Sequence, residues 1–160
     1  MKKYCKGSPK KLKSIISTFT LLLIVLTNVS GQDIDLTYKV TNYEINGENY
    51  DQLALKGDVA LSFYKCTNGS LCFANQWRAF DSQSYGGVHS FKKREIPETK
   101  TTYPGVEIKF TWEYFNTYDS DRGTAAVTIT HFLVSETWKF KAEIVLMETN
   151  DVLKFKGFLE

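Results

Sequence analysis

The stretch Val106-Glu107-Ile108-Lys109-Phe110-Thr111-Trp112-Glu113-Tyr114 decides the fold class. Its apolar residues recur at every second position. A helix would scatter Val106, Ile108, Phe110, Trp112 and Tyr114 around its circumference, whereas a strand sets all five on one face. The same period of two continues on both sides. Val127, Ile129, His131 and Leu133 share one face after the turn signal Asp119-Ser-Asp-Arg-Gly123. Trp138, Phe140, Ala142, Ile144 and Leu146 alternate with Lys139, Lys141 and Glu143, and Leu153 and Phe155 alternate with lysines beyond Thr149-Asn150-Asp151. Four strands joined by short connections make a meander.

The preceding half is compatible with this pattern. A first strand begins at Leu36, Tyr38 and Val40 and runs toward an Asn46-Gly47 turn, a strong hairpin signal. Tyr50 to Lys56 reads either as a short helix or as a lid-like loop. Val59, Leu61 and Phe63 mark the second strand and Phe73 to Phe80 the third. Val88 to Arg94 forms the fourth, after a flexible Tyr85-Gly86-Gly87, and Glu95 to Gly105, with Pro97 and Pro104, is a long loop. The count reaches eight strands. The reading is an all-β, eight-stranded antiparallel up-and-down barrel, with a two-sheet sandwich as the alternative. Short turns favour nearest-neighbour pairing, and closure removes exposed edges.

Charge is distributed unevenly. Residues 1–31 carry six lysines (Lys2, Lys3, Lys6, Lys10, Lys11 and Lys13) and no acid. Without them, 14 basic side chains face 18 acidic ones, a balance near −4 in place of the whole-chain +2. With no basic run longer than Lys92-Lys93-Arg94, a nucleic-acid partner is not expected. The lysine-rich start precedes the apolar run Leu21 to Leu26 and then Val29-Ser30-Gly31, the order of a secretory signal peptide. Residues 1–31 are therefore expected to be removed and 32–160 to form one exported domain, periplasmic or extracellular. The apolar stretch falls short of the roughly 20 residues of a spanning helix, so no stable membrane insertion is expected after cleavage.

Two cysteines follow the leader. Cys66 and Cys72 flank an Asn68-Gly69 turn signal, and in an oxidising compartment a disulfide stapling that hairpin is expected. Metal is not: His89 and His131 are the only histidines, too few for a zinc set. No Gly-x-Ser-x-Gly is present, Asp119 and Asp121 sit in a turn where Asp is common, and Asn68-Gly-Ser70, though an acceptor pattern for glycosylation, is explained by its turn. A non-catalytic protein without cofactor is expected.

Tyr38-Lys-Val-Thr-Asn-Tyr-Glu-Ile-Asn-Gly47 resembles the first strand of secreted bacterial lipocalin-like domains, in which a Trp-Lys-Val-type strand runs into an Asn-Gly turn. The resemblance implies a calycin-type barrel holding an apolar ligand. The inward set of this chain is large and aromatic: Phe63, Trp77, Phe110, Trp112, Tyr114, Trp138, Phe140 and Phe155. These residues either pack the core or line a cavity. Trp112, Tyr114 and His131, read as lying near adjoining strand ends, together with Trp138 and Trp77, are the candidate lining for a small hydrophobic molecule. The outward Phe115, Phe132, Val145, Met147 and Phe158 leave a second expectation, a protein-interaction module of adhesin or inhibitor type with a filled core and an apolar patch around Phe132 and Phe158.

Overall fold

A computed structural model of the chain describes residues 36–160; the leader 1–31 lies outside the described residues. The strands are β1 (Leu36–Ile45), the two-residue β2 (Glu48–Asn49), β3 (Val59–Lys65), β4 (Leu71–Trp77), β5 (Ser82–Ile96), β6 (Gly105–Asn116), β7 (Arg122–Val134), β8 (Thr137–Leu146) and β9 (Val152–Leu159). Each long strand pairs antiparallel with the next, and β1 pairs with β9. That last pairing closes an eight-stranded up-and-down barrel and excludes the sandwich. β2 folds back on β1 through the Asn46-Gly47 turn as one extra short strand.

The alternation in β6 buries what the sequence pattern assigns to the inside. Val106, Ile108, Phe110 and Trp112 are buried, while Lys109 and Glu113 are exposed. Their β7 partners are His131, Ile129, Val127 and Ala125, all buried. Small Ala125 opposite large Trp112 lets the indole occupy the barrel middle. There Trp112 packs edge-on against Phe73, and its Nε1–H donates to the Phe73 carbonyl at 3.1 Å. Phe63, Phe73 and Phe110 meet one another at centroid separations of 5.0 to 5.3 Å. Cross-barrel aromatic contacts therefore fill the middle.

Tyr50 to Lys56 resolves as a helix, α1 (Asp51–Gly57). The Asp51 carboxylate accepts hydrogen bonds from Asn49 Nδ2, Asn42 Nδ2 and the Tyr43 backbone N–H, which ties the helix start to β1 and holds the acid below its usual range. Asp58 ends it in the left-handed conformation. Gly57 faces Trp77 and Phe80, so α1 sits on the rings at that end of the barrel.

Two strand limits differ from the sequence pattern. β4 stops at Trp77, and Arg78–Phe80 forms a 3₁₀ turn in place of a strand end. Gly86 and Gly87 are not a flexible lead-in but lie within β5, paired with Tyr114 and Glu113. A Cβ on Gly86 would collide with the Glu113 carbonyl, so this glycine permits close backbone approach. β5 then outruns β4, whose pairing with it ends at Cys72↔Gly87. Val88 to Ile96 keeps a strand partner only on the β6 side. Along its whole length β5 is the one long strand that has no buried residue.

Cys66 and Cys72 form a disulfide, Cα atoms 5.6 Å apart, across the β3–β4 turn. Asn68 Oδ1 accepts from the Ser70 N–H and hydroxyl in that turn, and Asp119 Oδ1 accepts from Asp121 N–H in the β6–β7 turn. Both polar motifs thus have backbone roles. No helix among the described residues is long and apolar enough to cross a membrane.

Candidate functional site

His131 lies near the C-terminal end of β7, opposite Val106 at the start of β6 and Phe140 at the start of β8. Only 1% of it is exposed. Its Nδ1 is 3.1 Å from the hydroxyl of Tyr38, which reaches it from β1 across the barrel interior. Tyr38 is fully buried, packs on Phe140 at 4.8 Å between centroids, and is held neutral because burial pushes its pKa upward. Trp138 stands edge-on to the imidazole at 6.3 Å. Burial, and to a lesser degree the positive charge of Lys93, push His131 down to about 4. The ring is therefore neutral at physiological pH.

Lys93 belongs to this end of the barrel through the register. It pairs with Ile108, and a strand pair shares a face, so Lys93 stands on the inward side of the free half of β5. Burial lowers its pKa, partly opposed by Glu95. Two buried polar atoms have no hydrogen-bond partner among the described residues: His131 Nε2 and Asn75 Oδ1. Asn75 is on β4, paired with Leu61, which in turn pairs with Tyr38. Both orphaned atoms belong to inward-register residues.

The candidate residues do not form one cluster. Trp112 and Tyr114 are in contact, with ring centroids 5.0 Å apart, and so are His131 and Trp138. Trp112, however, pairs with Ala125 and Tyr114 with Gly123, whereas His131 pairs with Val106. Trp112 lies six positions beyond Val106 on β6, about 20 Å along the strand. The error has a simple physical source: antiparallel pairing sets the end of β6 against the start of β7, not against its end. Trp77 is elsewhere again, against Tyr43 and Phe80 beside α1. Trp77, Tyr114 and Trp138 are half-buried near strand ends, not core residues.

Sequence reasoning missed Tyr38 and Lys93 as site residues. Tyr38 was legible as an inward position of β1, but not as a partner for His131. Lys93 was hidden by a bulge between His89 and Lys92, with Ser90 at φ 52, which breaks simple alternation in β5.

The outward phenylalanines do not make the anticipated patch. Phe132 and Phe158 lie in one row, but both pair with Lys139, which stands between them. Phe158 is exposed, as are Leu53, Leu55, Phe80, Tyr85, Tyr103, Tyr118 and Met147. Of these, Leu53, Leu55, Phe80, Tyr118 and Met147 lie in the connections at one end of the barrel, the end opposite the β7–β8 turn. An open groove of about 620 Å³ runs over the outside of β5, β6 and β7 past Tyr85, Glu113, Phe115 and Arg122.

Among the described residues, no group of three or more His, Cys, Asp or Glu is placed to hold a metal ion. Comparison with protein-family models, with characterised proteins and with solved structures returns no match to the chain.

Proposed function

We propose that this chain is an exported, non-catalytic binding protein that holds one small, largely apolar molecule at the end of the barrel around Tyr38, His131 and Trp138. The carrying observation is the buried inward polar atom without a partner at that end, His131 Nε2. Folded proteins meet nearly all such groups, and ligand sites are apolar surfaces with a few polar atoms that fix orientation. The filled middle limits the ligand to a small molecule near the His131 end. The free half of β5 gives that end its most accessible wall. Export is supported by the order of features in residues 1–31 and by the Cys66–Cys72 disulfide. The lipocalin-like first strand agrees with the barrel. A non-catalytic role is supported by a histidine that is paired with a phenol and is too weak a base to take up a proton near neutral pH.

Native mass spectrometry of the protein isolated gently from its own host tests this. A retained small mass that is lost on denaturation is the expected result. An unliganded mass, together with no binding of fluorescent apolar probes, would remove the reading.

A second reading, a protein-interaction module, is favoured by the five apolar side chains gathered at the α1 end. Replacing Leu55 and Tyr118 by Ser and finding an unchanged set of host proteins retained by the purified chain would count against it.

A further inference from the structure

The outer wall across the barrel from the β1–β9 seam carries two adjoining grooves, whose chemistry differs from that of the interior. The first, of about 620 Å³, lies over β5, β6 and β7. Two outward rows form its sides. Tyr85, Phe115 and Arg122 pair across the three strands in one row, and Gly87, Glu113 and Thr124 in the next. Gly87 adds no side chain, so the backbone of Gly86, Tyr114 and Gly123 between the rows is left as an open floor. The second groove, of about 440 Å³, is lined by Gln76, Ser82, Gln83 and Thr117, together with Arg78 and Asp81. Gln76 pairs with Gln83, and Thr117 Oγ1 accepts from the Gln83 N–H, which makes a third outward row. That row lies two residues from Tyr85 on β5, about 7 Å along the strand. The two grooves are successive stretches of one trough.

The trough offers three kinds of contact at once. Tyr85 meets Phe115 edge to face at 5.9 Å and keeps 37% of its surface in the open. The Arg122 guanidinium sits over the Phe115 ring, 5.5 Å from its centroid. Arg122 and Glu113 are diagonal neighbours of opposite charge, yet they do not pair with each other. Arg122 has no ion-pair partner among the described residues, and Glu113 turns to His89 at 3.4 Å. The guanidinium can only donate and the carboxylate only accept, while the glutamine amides and the serine and threonine hydroxyls do both. Arg78 and Arg122 balance Asp81 and Glu113, so the lining has no net charge with which to select an ion. Its complement donates and accepts along one edge, is neutral, and lays a flat apolar face on an aromatic ring. A pyranose has that form: hydroxyls around its rim, and a face of C–H groups drawn to the negative face of the ring. We propose that the trough binds a neutral oligosaccharide. Tyr85 is the stacking platform, Arg122 and Glu113 hold the hydroxyls of one unit, and Gln76 and Gln83 hold those of the next. The site lies on the outside of the barrel and stands independently of the reading at His131.

The test titrates cellohexaose, maltohexaose and chitohexaose into isotope-labelled protein expressed from its full sequence and follows the backbone amides by NMR. Hexagalacturonate is the charged counterpart. At least one neutral hexamer is expected to shift the amides of Gln83, Gly86, Gly87 and Gly123 at concentrations up to ~10 mM, and to bind ~10-fold or more tighter than its own monosaccharide, because it engages successive rows. Tyr85→Ala removes the platform and is expected to weaken that binding ~10-fold. Arg122→Met keeps a hydrocarbon stem over Phe115 but no donor, and is expected to cost a similar factor. Both positions are on the surface, and an unchanged circular-dichroism melt shows that each variant is folded. No shift with any of the three neutral hexamers would overturn the proposal. So would tighter binding of hexagalacturonate than of every neutral hexamer, or binding that survives both substitutions. A small mass retained inside the barrel, or its absence, bears on the His131 reading alone.

Discussion

Tyr38 and His131 are 93 residues apart in the chain, yet their side chains share a 3.1 Å hydrogen bond across the barrel interior. The two residues sit on strands that are not neighbours: β1 reaches β7 only through β9 and β8. The bond is therefore a cross-brace inside the closed wall, and it joins the first strand to the last meander.

Removing the phenolic hydroxyl tests that brace. Tyr38→Phe keeps the ring that packs on Phe140 but leaves His131 Nδ1 without its partner. A buried orphan costs about 1–3 kcal/mol. Urea unfolding should show a lower midpoint with an unchanged slope, because the surface exposed on unfolding is the same.

Acid should weaken the fold through His131. In the unfolded chain this imidazole titrates near 6.5, whereas in the folded protein burial and Lys93 hold it at about 4. Between those values the unfolded chain takes up a proton that the folded chain does not, so falling pH favours unfolding. The stability is complete above about pH 6.5 and declines by up to about 3 kcal/mol as pH falls to 4. Urea midpoints at about pH 7 and about pH 4.5 measure this, and His131→Phe should flatten that part of the difference.

The seam that closes the barrel depends on a missing side chain. Gly157 in β9 pairs with Val40 in β1 and with Phe140 in β8. A Cβ there would run into the Lys39 carbonyl and stand 2.9 Å from the Phe140 ring. Gly157→Ala should cost more than about 2 kcal/mol, since the obstruction is backbone. Thermal unfolding followed by circular dichroism checks it.

The disulfide should matter modestly. Cys66 and Cys72 close a loop of only a few residues at the β3–β4 turn, for which chain entropy predicts about 2 kcal/mol. Reduction should raise the mass by about two hydrogens and lower the melting temperature by several degrees without abolishing the fold. Cys66→Ser with Cys72→Ser should behave in the same way. An unchanged melting temperature would show that the staple constrains only the turn.

The site was less legible than the walls around it. His131 was readable as an inward histidine from Ile129 and Leu133 on either side of it, and Trp138 as inward from its own alternation. Grouping His131 with Trp112 and Tyr114 failed because the pattern within a strand carries no information on register between strands. The bulge in β5 moved Lys93 to the inner face against simple counting. Gly86 and Gly87 read as a break because glycine favours loops, but here the lack of a Cβ lets β5 approach β6.

Alternation, turn residues and the placement of glycine and proline are local properties, set by backbone sterics and by which face of each strand meets water. They were enough to establish eight antiparallel strands, their order, most of their limits and the Cys66–Cys72 hairpin. Closure through β1 and β9, the helical state of Asp51–Gly57 and the meeting of Tyr38 with His131 were decided only by the tertiary structure. Each depends on contacts between residues far apart in the chain, whose geometry follows from register and barrel closure, and neither is written in any single segment.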